Sequence, residues 1–406
     1  MLDPRQAAIR PGAALPSLTG MRFIAALLVF LAHMSAAGMF TDQLLNTRLD
    51  KYLGTLGAVG VSFFFVLSGF VLTWSARDSD RPGLFYRRRL AKIYPNHFVT
   101  WIAGLLLAVL AGTAVTGKEF LPGLFLVNAW FPEYLVIRGT NGAAWSLCVE
   151  LVFYLTFPAL LLWVKRIRPQ RLWAWVGVMV LGAIAVAVIA ESFLPYESLP
   201  GLKYGWWQFW FVYFLPVSRL FEFVIGILLA RIVMSGRWIP VSRPVAALTL
   251  IPGYLGTVFL PGSYGLVLPL LIPLGLIVAS GAHADATGRT SFLGGRTMVW
   301  LGEISFAFYM LHMVVAYHGP AAFGSGRQWD TIEATARIAG WLALTLALSW
   351  LLYRFVELPV MRRWSRPRAR AASPTTPTPP ATTPSPTPAP DGTPPARESL
   401  VSVRSD

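Results

Sequence analysis

The chain is dominated by apolar segments long enough to cross a lipid bilayer. Ten of them follow one another, at residues 18–40, 55–75, 94–113, 144–164, 172–190, 212–233, 245–260, 265–280, 299–318 and 336–356. A helix needs about 20 apolar residues to cross the hydrocarbon core. Only 13% of the 406 residues are charged, against about 25% in ordinary soluble domains. The sequence therefore predicts an all-α polytopic membrane protein with about ten transmembrane helices.

Basic residues are distributed unevenly between alternate loops. With the N-terminus placed in the cytoplasm, 25 of the 34 Lys and Arg residues lie on the cytoplasmic side and seven lie outside. Because cytoplasmic loops carry an excess of Lys and Arg, we predict a multi-pass cell-membrane protein whose N- and C-termini are both cytoplasmic. The net charge of +15 is then explained by orientation in the bilayer, and no nucleic-acid partner is expected.

The chain is expected to have three parts. Residues 1–13 form a cytoplasmic N-terminal segment, residues 14–360 the transmembrane domain, and residues 361–406 a Pro/Thr/Ala-rich cytoplasmic tail. The tail has too few apolar residues to bury a core and is predicted to be disordered. A signal peptide over residues 1–38 is the alternative for the start of the chain, but the apolar run is long for one.

Two ionisable residues lie in the first apolar run. Arg22 and His33 are eleven residues apart, a spacing that puts them on one helix face and roughly 16 Å apart along the axis. Ionisable residues within a membrane are costly and usually mark a functional site. A histidine packed at a helix contact and hydrogen-bonded to a neighbour is the structural alternative.

Further ionisable residues are predicted to lie at similar depths, in the outer half of the membrane. With His33 they form a set of five on four helices: His33, Glu150, Arg219, Glu222 and His312. Buried charges need partners, so we expect one shared polar cavity in which Glu150 orients a histidine for general-base chemistry. Two alternatives stay open: Arg219 and Glu222 pair with each other, or Glu150 is the counter-ion of Arg219.

A basic cluster precedes the third apolar segment. Arg87, Arg88 and Arg89 are consecutive there, and such clusters commonly anchor a helix at the membrane face. Together with Arg22, they are also suited to a polyanion such as a nucleotide phosphate. Ligand spacing suggests no metal site, and the single Cys148 excludes an intramolecular disulfide and a cysteine-based zinc cluster.

Seven motifs occur in order along residues 14–360. They are LPSLTGMRFIAALLVFLAH, GAVGVSFFFVLSGFVLTW, FYRRRLAKIYP, AAWSLCVELVFYL, RLFEFVIG, LGEISFAFYMLH and the closing VELP. In this order they resemble the integral-membrane acyltransferase-3 family, which includes bacterial O-acyltransferases acting on sugars, cell-envelope polysaccharides and antibiotics.

The resemblance implies acyl-CoA, usually acetyl-CoA, as a donor bound from the cytoplasm, and a hydroxyl, most often on a sugar, as the acceptor. His33 matches the family's essential histidine and is expected to act as a general base or a transient acyl carrier, assisted by Glu150. Arg22 matches the paired arginine near the donor, and the CoA phosphates are expected near Arg87, Arg88 and Arg89. Neither a bound cofactor nor a metal is expected.

The alternative from another class is a proton-coupled transporter, or an exporter of a glycolipid or polysaccharide precursor. Intramembrane His, Glu and Arg residues also build proton relays. The absence of a convincing inverted repeat in the sequence argues against a transporter. The sequence leaves open the identity of the acceptor, the length of the acyl chain and the oligomeric state.

Overall fold

The computed structural model describes residues 12–77, 81–114, 116–199, 202–324 and 326–364. Every regular secondary-structure element in these ranges is a helix, and they contain no β-strand. This confirms the predicted all-α membrane fold. Most of the predicted N-terminal segment and almost all of the predicted disordered tail lie outside the described residues.

Sixteen helices follow one another along the described ranges. They are α1 (Pro16–Ala36), α2 (Gln43–Leu53), α3 (Leu56–Ser75), α4 (Pro82–Leu110), α5 (Gly117–Leu124), α6 (Tyr134–Arg138), α7 (Ala144–Arg166), α8 (Leu172–Phe193), α9 (Trp206–Phe209), α10 (Pro216–Met234), α11 (Arg243–Leu248), α12 (Leu250–Phe259), α13 (Leu268–Ala286), α14 (Arg296–Ala321), α15 (Thr331–Leu352) and α16 (Leu358–Trp364). Two π-helical turns, Trp210–Phe214 and Tyr353–Glu357, lie before α10 and after α15.

Nine helical segments within the described ranges are long and apolar enough to cross a membrane. Each coincides with one of the ten apolar segments of the sequence. Residues 120–131, between two of these segments, contribute the end of α5 and a short turn at Asn128–Trp130.

The remaining apolar segment, 245–260, is divided between α11 and α12. At one end, the Arg243 guanidinium donates to the carbonyl of Thr290 over 2.8 Å, just beyond the C-terminus of α13. At the other end, a Cβ at Gly256 would lie 2.7 Å from the Cβ of Pro269, at the start of α13. Residues 243–259 thus run antiparallel beside the whole of α13, over about 25 Å, although the break leaves each helix short.

The site is held by a tightly packed core of α1, α3, α10 and α14. A Cβ at Gly302 of α14 would lie 1.9 Å from the Thr19 carbonyl oxygen of α1, and one at Gly69 of α3 would lie 2.0 Å from the Phe223 carbonyl oxygen of α10. Only glycine permits backbones to approach this closely, as is common between membrane helices. The packing fixes α1, which carries Arg22 and His33, against α14, which carries His312.

Candidate functional site

Two cavities lie beside the core helices. The first, about 180 Å³, is named the carboxylate cavity and is lined by Arg22, Arg89, Lys92, Glu150 and Tyr154 together with apolar side chains of α3, α4, α7 and α14. The second, about 450 Å³, is named the histidine cavity and contains His33 and His312. Its volume is in the range of small-molecule binding sites.

In the histidine cavity the two imidazoles face each other. The rings of His33 on α1 and His312 on α14 are 5.1 Å apart between centroids, at an interplanar angle of 56°. Nδ1 of His33 lies 2.8 Å from the Val29 carbonyl oxygen, and Nδ1 of His312 is hydrogen-bonded to the Tyr309 carbonyl. Because a carbonyl only accepts, each Nδ1 donates its hydrogen, which leaves the Nε2 lone pair of each neutral ring available as a base.

The wall of the histidine cavity is largely aromatic and aliphatic. Trp145, Phe209, Tyr213 and Phe214 are among the lining rings. Asp50, Tyr134 and Lys203 also line the cavity and are exposed to solvent. The cavity therefore joins a polar, solvent-exposed part to an apolar interior that holds the two histidines.

The carboxylate cavity surrounds Glu150 with cations. Its carboxylate accepts a hydrogen bond from Tyr154, one helical turn along α7, and interacts electrostatically with Arg22, Arg89 and Lys92. The Arg89 guanidinium also lies 6.0 Å from the centroid of the Tyr154 ring. Even with Glu357 paired to Lys92, three cations against two carboxylates leave a net positive site, which suits an anionic group.

Lys92 is fixed by a buried hydrogen-bonding network. Its ammonium group forms an ion pair with Glu357, which also accepts from the Asn96 side chain. The Glu357 side chain is fully buried and lies at the end of the π-helical turn after α15. The network thus ties the wall of the carboxylate cavity to the last described helices.

Arg219 and Glu222 form a separate buried pair on α10. Arg219 Nε lies 2.9 Å from Glu222 Oε2, and the two side chains are 0% and 1% exposed. The guanidinium also donates to Ser62 Oγ over 3.2 Å and lies 5.0 Å from the centroid of the Phe65 ring. Of the alternatives left open by the sequence, the structure therefore favours pairing of these two residues with each other.

The structure thus corrects the expectation of a single shared cavity. Glu150 lies in the carboxylate cavity, while His33 and His312 lie in the histidine cavity. Depth counted along a helix gives the height of a side chain but not the direction in which it points, and this is why residues at similar predicted depths separate.

The basic cluster is also divided, because consecutive helical residues point about 100° apart. Arg89 lines the carboxylate cavity, whereas Arg87 and Arg88 line neither cavity. The Arg87 guanidinium lies 5.9 Å from the ring centroid of Trp364 on α16.

Four residues at the site were not singled out from the sequence: Lys92, Tyr154, Tyr309 and Glu357. Tyr154 lies four residues after Glu150 and Tyr309 three before His312, spacings that place neighbours on one helix face. The sequence therefore contained the information needed to place Tyr154 beside Glu150 and Tyr309 beside His312. The pairing of Lys92 with Glu357 had no such signal, since the two are 265 residues apart.

Comparisons with known proteins agree with this architecture. A family model described as an acyltransferase domain, of the acyltransferase-3 type, matches residues 15–354. Acyltransferase MdmB of Streptomyces mycarofaciens is 39% identical over 371 residues, covering 89% of this chain and 95% of its own length. Exopolysaccharide production protein ExoZ of Rhizobium meliloti is 27% identical, covering 78% of this chain and 93% of its own length.

Peptidoglycan O-acetyltransferase OatA of Listeria monocytogenes is 24% identical, over 86% of this chain and 56% of its own length. No solved structure matches the chain. The family match covers nearly all of the described helices, including both cavities. The chain belongs to the integral-membrane acyltransferase-3 family and is a multi-pass membrane acyltransferase.

Proposed function

We propose that the enzyme moves an acyl group, acetyl in the simplest case, from acyl-CoA to a hydroxyl of a carbohydrate or glycosylated acceptor. The observation that carries the proposal is the pair of adjoining cavities, one cationic and one holding two imidazoles with free Nε2 atoms. The relatives named for peptidoglycan O-acetylation and exopolysaccharide production support a carbohydrate acceptor.

The donor is proposed to bind at the carboxylate cavity. Arg22, Arg89 and Lys92 give this cavity its positive charge, and Arg87 and Arg88 add charge at the same end of α4. CoA carries several phosphates, for which clustered arginines are well suited. The apolar remainder of the wall suits the pantetheine arm and the acyl chain.

The acceptor is proposed to enter the histidine cavity, so that its hydroxyl meets His33. Nε2 of His33 takes the hydroxyl proton while the oxygen attacks the thioester carbonyl; the carbon–sulfur bond breaks, and CoA leaves as the thiolate. Positioning and one base supply most of what a thioester needs. In the acyl-carrier variant of this proposal, His33 takes the acyl group first, and acyl-labelled protein accumulates when acceptor is absent.

We further propose that the N- and C-termini are cytoplasmic. The distribution of basic residues favours this orientation. It requires a tenth crossing, which we assign to residues 243–259 because they run antiparallel to α13. Reporter fusions to the tail, read for cytoplasmic activity, test the orientation.

CoA release from purified enzyme in nanodiscs tests the reaction. With acetyl-CoA and an acceptor extract, the enzyme is expected to release CoA and to transfer radiolabelled acetyl to a glycosylated product. A transporter or exporter would instead move a labelled precursor into vesicles without releasing CoA. The choice of donor would be overturned if no acyl-CoA led to CoA release with an extract whose acceptor is known to be acylated in living cells.

A further inference from the structure

Two side chains separate the two cavities, and the larger of them is Tyr309. Of the described residues, Val61 and Tyr309 line both the carboxylate cavity and the histidine cavity. Tyr309 projects from α14 between Glu150, which faces the first cavity, and His312, which faces the second. Its ring is therefore the larger part of the shared wall.

Contacts on both sides hold the Tyr309 ring in this position. Its hydroxyl donates to Ser146 Oγ on α7 over 2.8 Å, and its ring lies 5.8 Å from that of Phe64 on α3. Tyr309 and Ser146 are 7% and 5% exposed. The hydroxyl–hydroxyl contact thus links α14 to α7.

The same residue is connected to the histidines. The Tyr309 carbonyl accepts the hydrogen of His312 Nδ1, and the two rings lie 5.2 Å apart. A movement of Tyr309 that carried its backbone would consequently disturb His312, whereas rotation of the phenol alone breaks only the contact with Ser146. A single hydrogen bond between neutral groups contributes little to stability, so the Tyr309–Ser146 contact can break easily when the ring moves.

We propose that Tyr309, latched to Ser146, is a partition that keeps water in the histidine cavity away from the acyl thioester in the carboxylate cavity. This inference rests on the proposed donor and acceptor sites. Water attacking the thioester would form a carbon–oxygen bond and break the carbon–sulfur bond, releasing a carboxylic acid and CoA. Exclusion of water from such a reactive group prevents this loss.

The polar side of the histidine cavity makes the partition necessary. Asp50 and Lys203 line it and are exposed to solvent, and His33 is itself partly exposed, so water has access as far as His33. The acyl group and the acceptor hydroxyl lie on opposite sides of the phenol and can react only when it swings aside. Tyr309 is thus a positioning residue that ties exposure of the thioester to the presence of an acceptor.

The test is the rate of CoA release from acetyl-CoA in the absence of acceptor. Tyr309→Ala removes the wall and is expected to raise this hydrolysis several-fold over wild type while lowering the yield of acyl transfer per CoA released. Ser146→Ala and Tyr309→Phe remove only the latch and should raise hydrolysis by less. Tyr94→Phe and Ser305→Ala are matched controls, since each removes a hydrogen-bonded hydroxyl that lines neither cavity.

Unchanged hydrolysis in all three variants, with wild-type yields of monodisperse protein, would overturn the partition. So would a parallel fall in hydrolysis and transfer, which would place the Tyr309 hydroxyl in the chemistry itself. If Tyr309→Ala does not fold, Ser146→Ala and Tyr309→Phe decide the question. Wild-type enzyme that releases no CoA with acceptor present would refute the proposed donor instead, so the two failures are distinguishable.

Discussion

Removing one member of the buried Arg219–Glu222 pair should cost far more than removing both. Arg219 is fully buried and lies 2.9 Å from its partner carboxylate. In Glu222→Ala the guanidinium keeps Ser62 and two aromatic rings, Phe65 and Tyr213, as neighbours, but it has lost its counter-charge. Breaking a buried pair in this way typically costs about 3 to 5 kcal/mol.

That loss corresponds to roughly a hundredfold to a few thousandfold in the folding equilibrium. The double change Arg219→Met with Glu222→Leu fills similar volume without charge and is expected to be within about 1 kcal/mol of wild type. Thermal unfolding in detergent, followed by tryptophan fluorescence, gives the order of stability. The double variant should lie close to wild type, and Glu222→Ala well below both.

The same variants separate a structural role from a catalytic one. If the pair only supports the fold, the double variant retains CoA release; if Arg219 or Glu222 takes part in the reaction, activity is lost although stability is restored. A Glu222→Ala variant as stable as wild type, or a double variant as unstable as Glu222→Ala, would show that the buried charges do not compensate each other.

Three further outcomes are expected. Glu357→Ala leaves Lys92 without its carboxylate and should lower both thermal stability and apparent affinity for acyl-CoA. Glu357→Gln should recover part of the stability, because the amide oxygen can still accept a hydrogen bond. Equal losses of stability in the two variants would contradict this. Gly69→Ala places a methyl group 2.0 Å from a carbonyl oxygen and should destabilise the fold, while Gly177→Ala, with nothing within 4 Å, should be neutral or slightly stabilising; thermal midpoints compare them. Arg89→Ala should raise KM for acyl-CoA more than Arg87→Ala, because Arg89 alone of the two lines the carboxylate cavity; similar KM values would contradict that placement.

The sequence predicted the membrane class and all nine long helices because a bilayer imposes a length and a polarity on every crossing. It did not predict that residues 243–259 break into α11 and α12, since the continuity of that segment is decided by packing against α13. Residues that share one helix face could be predicted from their spacing in the sequence, as for Arg22 and His33 on α1.

Which residues of different helices come together could be predicted from the sequence only in part. His33 and His312 meet as the depth estimate suggested, but Glu150 turns toward Arg22 and Lys92 instead. Which way each helix is rotated depends on contacts such as that at Gly302, and a hydropathy pattern does not record them. For the same reason, the sequence did not predict the pairing of Lys92 with Glu357.

The His33→Ala variant tests most directly whether Nε2 of His33 accepts the proton of the acceptor hydroxyl. Purified variant and wild type are compared for acyl transfer and for acyl-CoA binding, with His283→Gln, which lines neither cavity, as the histidine control. His33→Ala is expected to lose transfer by at least about a hundredfold and to retain acyl-CoA binding, because His33 lies outside the carboxylate cavity. Wild-type transfer by His33→Ala at normal protein levels would show that His33 is not the base.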